Sequence, residues 1–122
     1  MVATTAISTA AVQAYKVRRL VGGVAITYSD GTNNVTLTAL HGETRQAVAN
    51  IHGVIIEETR LRDFLVLVSE LILNSVVVLP SRGDTIAEDG KNYSVMADGG
   101  EPHFVYSDHS EKILRIHTIE KD

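Results

Sequence analysis

The sequence predicts a mainly β fold: a small antiparallel β-barrel or sandwich of six to seven strands, with one short helix and an N-terminal arm or helix. Short runs of alternating apolar and polar residues recur along most of the chain, separated by clusters of Gly, Asp, Asn and Pro. The 122-residue length suits one domain with one modest core. That core must be aliphatic, because hydrophobic residues make up 44% of the chain while aromatics are 5% and Trp is absent.

Residues 1–20 differ in character from the rest of the chain and read as an arm preceding a single domain over residues 21–122. They are small and Thr/Ala-rich, with Ile7, Ala11, Ala14 or Tyr15, and Val17 on one stripe at helical spacing. Lys16, Arg18 and Arg19 suit a helix C-terminus, and Gly22-Gly23 would end it. The segment is either a poorly ordered tail or a helix that orders against a neighbouring subunit. Three basic residues without aromatics make a weak phosphate signal.

Val24–Tyr28 and Val35–Ala39 alternate around the turn cluster Asp30-Gly31-Thr32-Asn33-Asn34, which predicts a hairpin. Gly42–Gly53, polar at first and bracketed by glycines, reads as a long loop or an irregular strand pair. Val54–Val66 is rich in β-branched residues and predicts one long strand, or two broken near Arg62-Asp63. Ser69–Asn74 reads as one or two helical turns with Ser69 as N-cap.

The best-marked stretch runs from Leu79 to Met96. Pro80 ends the preceding element, having no N–H to donate. Asp89-Gly90 is a strong two-residue hairpin signal, since both residues tolerate the positive φ of a type I′ turn. Tyr93, Val95 and Ala97 then alternate with Asn92, Ser94 and Met96. Asp98–Pro102 is a further turn, Phe104 and Tyr106 come next in a loop, and Glu111–Ile119 closes the chain as a strand. On it Ile113, Arg115 and His117 face one way and Leu114, Ile116 and Thr118 the other.

Little in the sequence suggests catalysis. No cysteine is present, which excludes thiolate metal sites, disulfides and thiol chemistry. His103, Asp108, His109 and His117 are metal-ligand types, but their spacing fits no ligand motif. No Gly-x-Ser-x-Gly occurs, and Leu20-Val21-Gly22-Gly23 is not a phosphate loop. The adjacent acids Glu57-Glu58 and Glu88-Asp89 point apart on a strand or turn, so neither is an acid–base pair. Arg82-Gly83-Asp84 reads as a strand start whose side chains bond local backbone rather than as an adhesion motif. Catalytic, cofactor-binding and metal-binding residues are therefore all expected to be none. No apolar run reaches the length of a membrane span, and no secretory signal is visible, so no membrane partner is expected. The net charge of -4 argues against a surface dedicated to nucleic acid.

Several words of the chain, taken in order, resemble one family. Pro80-x-Arg82-Gly83-Asp84-x-Ile86, Asp89-Gly90-x-x-Tyr93-x-Val95, Gly100-Glu101-Pro102, Tyr106-Ser107-Asp108 and Leu114-Arg115-Ile116-His117-Thr118 are similar to the C-terminal half of head–tail joining proteins of tailed bacteriophages. These are neck components, also called head-completion or stopper proteins. The likeness extends upstream through Tyr28-Ser29-Asp30-Gly31 and Arg62-Asp63-Phe64-Leu65 to cover roughly residues 24–119. It implies a non-enzymatic virion protein at the head–tail junction, assembled in the host cytoplasm. Such a protein forms a homo-oligomeric ring, a connector between the portal or adaptor protein of the head and the tail. It completes the head, retains packaged double-stranded DNA and docks the tail, and DNA passes through its channel without sequence-specific binding. On this reading His41, Glu43, Arg45 and Gln46 of the Gly42–Gly53 region are candidate ring or channel contacts. Phe104 and Tyr106 either plug the end of the barrel or act as partner anchors. The alternatives are another ring-forming neck or tail protein such as a tail terminator, a small ligand-binding β-barrel, and a small His/carboxylate hydrolase or isomerase.

Overall fold

A computed structural model describes residues 2–51, 54–96 and 102–121, with side chains described over 10–42, 61–96 and 102–121. Helix α1 (Val2–Gly22) comes first. Its repeated alanines are the strongest helix formers, and Arg19 in the last turn complements the helix dipole. Gly23 is the stop, its N–H bonding the Arg19 carbonyl at 2.9 Å. A Cβ at Gly23 would stand 2.5 Å from that same oxygen, so only glycine fits.

Strands β1 (Val24–Ser29), β2 (Asn34–Ile51), β3 (Val54–Leu67), β6 (Thr85–Glu88), β7 (Lys91–Val95) and β9 (Ile113–Lys121) close into a barrel. The order is β3-β2-β1-β6-β7-β9, and β9 pairs back onto β3 from Leu61↔Ile119 to Leu67↔Ile113. Every pairing is antiparallel. Closure leaves the barrel strands few free edges. Strand β8 (Phe104–Tyr106) adds to β9 beside Leu114–Ile116 and forms an outer edge.

The two hairpins announced by turn residues form as expected. Asp89 (φ 50°) and Gly90 (φ 81°) carry the β6–β7 turn, both with the positive φ of type I′. Elsewhere one open reading resolves and one expectation is corrected. Over its described residues 42–51, the Gly42–Gly53 region takes the irregular-strand reading and not the loop: β2 runs to Ile51 and pairs with β3, with register shifts between His41 and Thr44 and again between Ala49 and Asn50. Those bulges break the alternation that would have marked a strand. Ser69–Asn74 is not a capped helix. Only Val68–Glu70 is helical, as a single 3₁₀ turn, and Ile72–Leu73 (β4) then pairs with Val76–Val77 (β5). Asn74 and Ser75, at φ 53° and 65°, make the turn between them. Val54–Leu67 resolves as one strand rather than two.

The lumen is filled. Ile26, Tyr28, Phe64, Val66, Ile86, Tyr93, Val95, Leu114 and Ile116 point inward and are buried. A second, outer cluster joins α1 to the barrel: Tyr15 sits on Leu40, Leu65, Leu67 and Ile113, flanked by Ala11 and Val12. Each of these buried apolar side chains contributes on the order of 1.5–3 kcal/mol. The helix therefore orders against its own barrel, and the stripe that does so is Ala11, Val12 and Tyr15. Val17, placed on that stripe from the sequence, is 62% exposed.

Candidate functional site

Among the described residues, several ionisable side chains gather in internally paired clusters. At one mouth of the barrel His41, Arg62 and Glu88 project inward from β2, β3 and β6. His41 Nε2 donates to the Glu88 carboxylate at 2.8–2.9 Å, and Arg62 donates to Glu88 Oε1 at 3.2 Å. The Arg62 guanidinium lies over the Tyr93 ring at 5.6 Å, and the His41 ring meets Phe64 edge-on at 5.6 Å. The cluster caps the aliphatic core with charge at the point where the barrel ends.

On the outer face, Asp63 is 3% exposed and accepts from Arg115 at 3.1 Å and from His117 Nδ1 at 2.8 Å. Gly42 makes room for this pair: a Cβ there would meet the Arg115 guanidinium at 2.6 Å and the Asp63 Cβ at 3.0 Å. At the Arg82-Gly83-Asp84 turn, Asp84 accepts from the Tyr28 hydroxyl and from the Ser81 N–H at 3.0 Å. Its structural role at a strand start is the one expected. Burial, together with the bonded Asp84 carboxylate, pushes the Tyr28 phenol well above its ordinary pKa.

Helix α1 is pinned by polar contacts as well. The Tyr15 hydroxyl donates to the Leu65 carbonyl at 2.7 Å, and Arg19 bridges to Glu70. Burial pushes the Tyr15 phenol up to about 12, with Arg19 opposing the shift. Exposed Asp30 is held below its usual range by backbone N–H bonds from Asn33 and Thr32.

The residues singled out from the sequence separate into different places. His41 lies in the barrel mouth, one-third exposed and bonded to Glu88. Glu43, Arg45 and Gln46 belong to β2, with Arg45 opposite Leu61 and Gln46 opposite Arg60, and their side chains lie outside the described residues. Phe104 and Tyr106 sit on strand β8 rather than in a loop, because their backbone pairs with β9. Phe104 packs half-buried against the core, whereas Tyr106 is 37% exposed. The candidate metal-ligand types are not gathered: His103 bonds the Pro80 carbonyl, Asp108 accepts from the Lys112 and Ile113 N–H groups, and His117 bonds Asp63. No group of three or more metal-ligating side chains occurs among the described residues. Asp63 and Glu88, the centres of the two ionic clusters, gave no sequence signal, since Glu88 lies 47 residues from His41 and Asp63 lies 54 from His117.

Two features have the form of contact surfaces. Beyond the barrel, β2 and β3 continue as a two-stranded ribbon over residues 44–51 and 54–60, and among the described residues neither strand has a second partner there. Exposed apolar side chains also cluster on α1 and on β4–β5. Among the described residues no helix is long and apolar enough to cross a membrane.

A small closed β-barrel with a filled lumen, a clamped helix and an outlying β-ribbon defines the class: a structural module that presents surfaces. The family described as phage head-tail joining protein matches residues 5–122, nearly the whole chain, and the protein belongs to that family. No individually curated protein matches the chain. The family consists of structural phage proteins, and membership implies a virion component at the neck that meets head and tail components.

Proposed function

We propose that this chain forms a ring at the head–tail junction that completes the head, retains packaged DNA and docks the tail. The observation that carries the reading is the β2–β3 ribbon. An isolated two-stranded hairpin is marginally stable in water, and this one extends about 25 Å past the barrel at about 3.3 Å per residue. Ala47, Val48, Ala49, Ile51, Val54, Ile55 and Ile56 make it apolar in sequence. Both free edges call for a neighbour, and the adjacent subunit of a ring supplies one. Glu43, Arg45 and Gln46 are its polar contacts to that neighbour or to the channel, and His41 anchors its base.

The DNA channel lies between subunits, since the barrel lumen is packed with side chains. A net-acidic chain lets a duplex slide rather than gripping its phosphates. Tyr106, exposed beside Val105 on the β8 edge, serves as the anchor for a head or tail partner, while Phe104 holds that strand to the core.

Replacing residues 47–59 with Asn-Gly would close the hairpin just beyond the Gln46–Arg60 pair. The shortened chain should still unfold cooperatively as a β protein, while phage carrying it lose DNA from filled heads or fail to join tails. Normal phage yield would sink the role given to the ribbon.

A further inference from the structure

The β2–β3 ribbon leaves the barrel at a β-bulge, and its direction is decided at that junction. Pairing of β2 with β1 ends at Ala39↔Val24, and pairing of β3 with β9 begins at Leu61↔Ile119. Over residues 44–51 and 54–60 each strand has only the other as partner among the described residues. Between His41↔Phe64 and Thr44↔Arg62 the register shifts, so Gly42 and Glu43 stand opposite Asp63 alone. A bulge of this kind bends the strand that carries it.

Two ionic triads meet at the level of the bulge, because adjacent Arg62 and Asp63 point to opposite faces of β3. Inside the mouth, Glu88 of β6 accepts from His41 of β2 and from Arg62 of β3. Outside, Asp63 accepts from Arg115 and His117 of β9, and Gly42 of the bulge packs against that pair. In each triad the carboxylate is the most buried member, 12% and 4% exposed against 15% to 33% for its partners. Losing either carboxylate would leave an Arg and a His without their shared acceptor. The inner triad also does what sheet pairing does not. β6 is no neighbour of β2 or β3 in the sheet, so Glu88 ties both ribbon strands across the mouth.

We propose that the two triads form a clamp that fixes the angle of the ribbon at its bulge, and that the ribbon swings when either triad is opened. The bulge is the hinge, and Glu88 and Asp63 hold it from opposite faces. The clamp deepens the reading of the ribbon as the contact between subunits, since a ribbon held at one angle meets every neighbour alike. It is nevertheless a property of the single chain, and it can be tested there.

The chain has no cysteine, which gives a clean background for spin labelling. Asn50→Cys, near the far end of the ribbon, and Asn92→Cys, exposed on β7, would be labelled together in the full chain and diluted into unlabelled wild type. Double electron–electron resonance should give one narrow distance. Glu88→Gln and Asp63→Asn, each added to the labelled chain, should broaden that distribution by about twofold or more. Arg19→Gln, which opens the Arg19–Glu70 pair away from the ribbon, should leave it narrow. Labels at Asn92→Cys and Ser107→Cys, both on the barrel, should keep their distance in every variant and report that the barrel is folded. Where a carboxylate variant loses that barrel distance, His41→Ala and Arg115→Ala, which leave each carboxylate one partner, decide in its place. A broad ribbon distance in the parent chain would overturn the clamp, and so would a distance left narrow by either triad variant. Equal broadening by Arg19→Gln would assign the effect to general loosening and also overturn it. Broadening by both triad variants alone, in a chain that stays monomeric, would uphold the clamp and remove the ring.

Discussion

Asp63 shows how much of this fold turns on single side chains. It is buried between Arg115 and His117, and removing its carboxylate strands two donors on the β3–β9 face. Because both partners keep some water contact, Asp63→Ala should cost about 2–3 kcal/mol, below the range for a fully buried pair, and urea unfolding would measure it. Gly42→Val should cost about 1–3 kcal/mol by displacing the Arg115 guanidinium, and a double-mutant cycle with Arg115→Ala should be non-additive. Tyr15 sets a pH dependence. Its phenol titrates at about 12 in the folded chain against 10.0 ordinarily, so its contribution is complete below pH 10 and is lost as pH rises through about 12. Tyr28 acts in the same direction. The melting temperature should fall over that window, and Tyr15→Phe should flatten part of the fall. None of these partnerships was legible in the sequence, because each joins residues far apart in the chain that only the tertiary fold brings together. Asp84 was the exception, since its backbone partner Ser81 is three residues away.

At the scale of elements, legibility tracked turn chemistry. Asp89-Gly90 declared its hairpin, and β9 declared its two faces by alternation; the structure adds that Leu114, Ile116 and Thr118 form the buried one. The β4–β5 hairpin hid because Asn74-Ser75 is a poorer type I′ pair, and Ser-Glu-Leu-Ile-Leu mimics a helix start. Ser75 holds φ 65° at a cost glycine would not incur, so Ser75→Gly should stabilise the chain by about 1 kcal/mol in thermal or urea unfolding. The strand over residues 42–51 stayed open beside a loop reading because of its bulges, since residues 42 and 43 fall between paired positions and reset the period. Helix α1 was readable as an element, but its partner was not. An Ala-rich stripe states that one face is apolar, and only the fold says that Leu40, Leu65, Leu67 and Ile113 receive Tyr15.

At the scale of the molecule, the barrel fills its own core, pairs its buried charges internally and turns surfaces outward. The likeness to head–tail joining proteins was visible in the order of short motifs, and the family match over residues 5–122 extends it into α1. What the sequence could not supply was the division of labour: a packed lumen, a helix with one face used and one bare, and a two-stranded ribbon that runs on past the barrel. These features suit a subunit whose remaining bonds are made to copies of itself and to its neighbours in the virion. The most direct test is the mass of the purified chain by light scattering across a concentration series, with negative-stain images of the largest species. The account predicts a fixed multiple of the 13.2 kDa chain, seen as rings with a hole wide enough for a DNA duplex. A strict monomer at every concentration that also failed to bind portal-containing heads would contradict it.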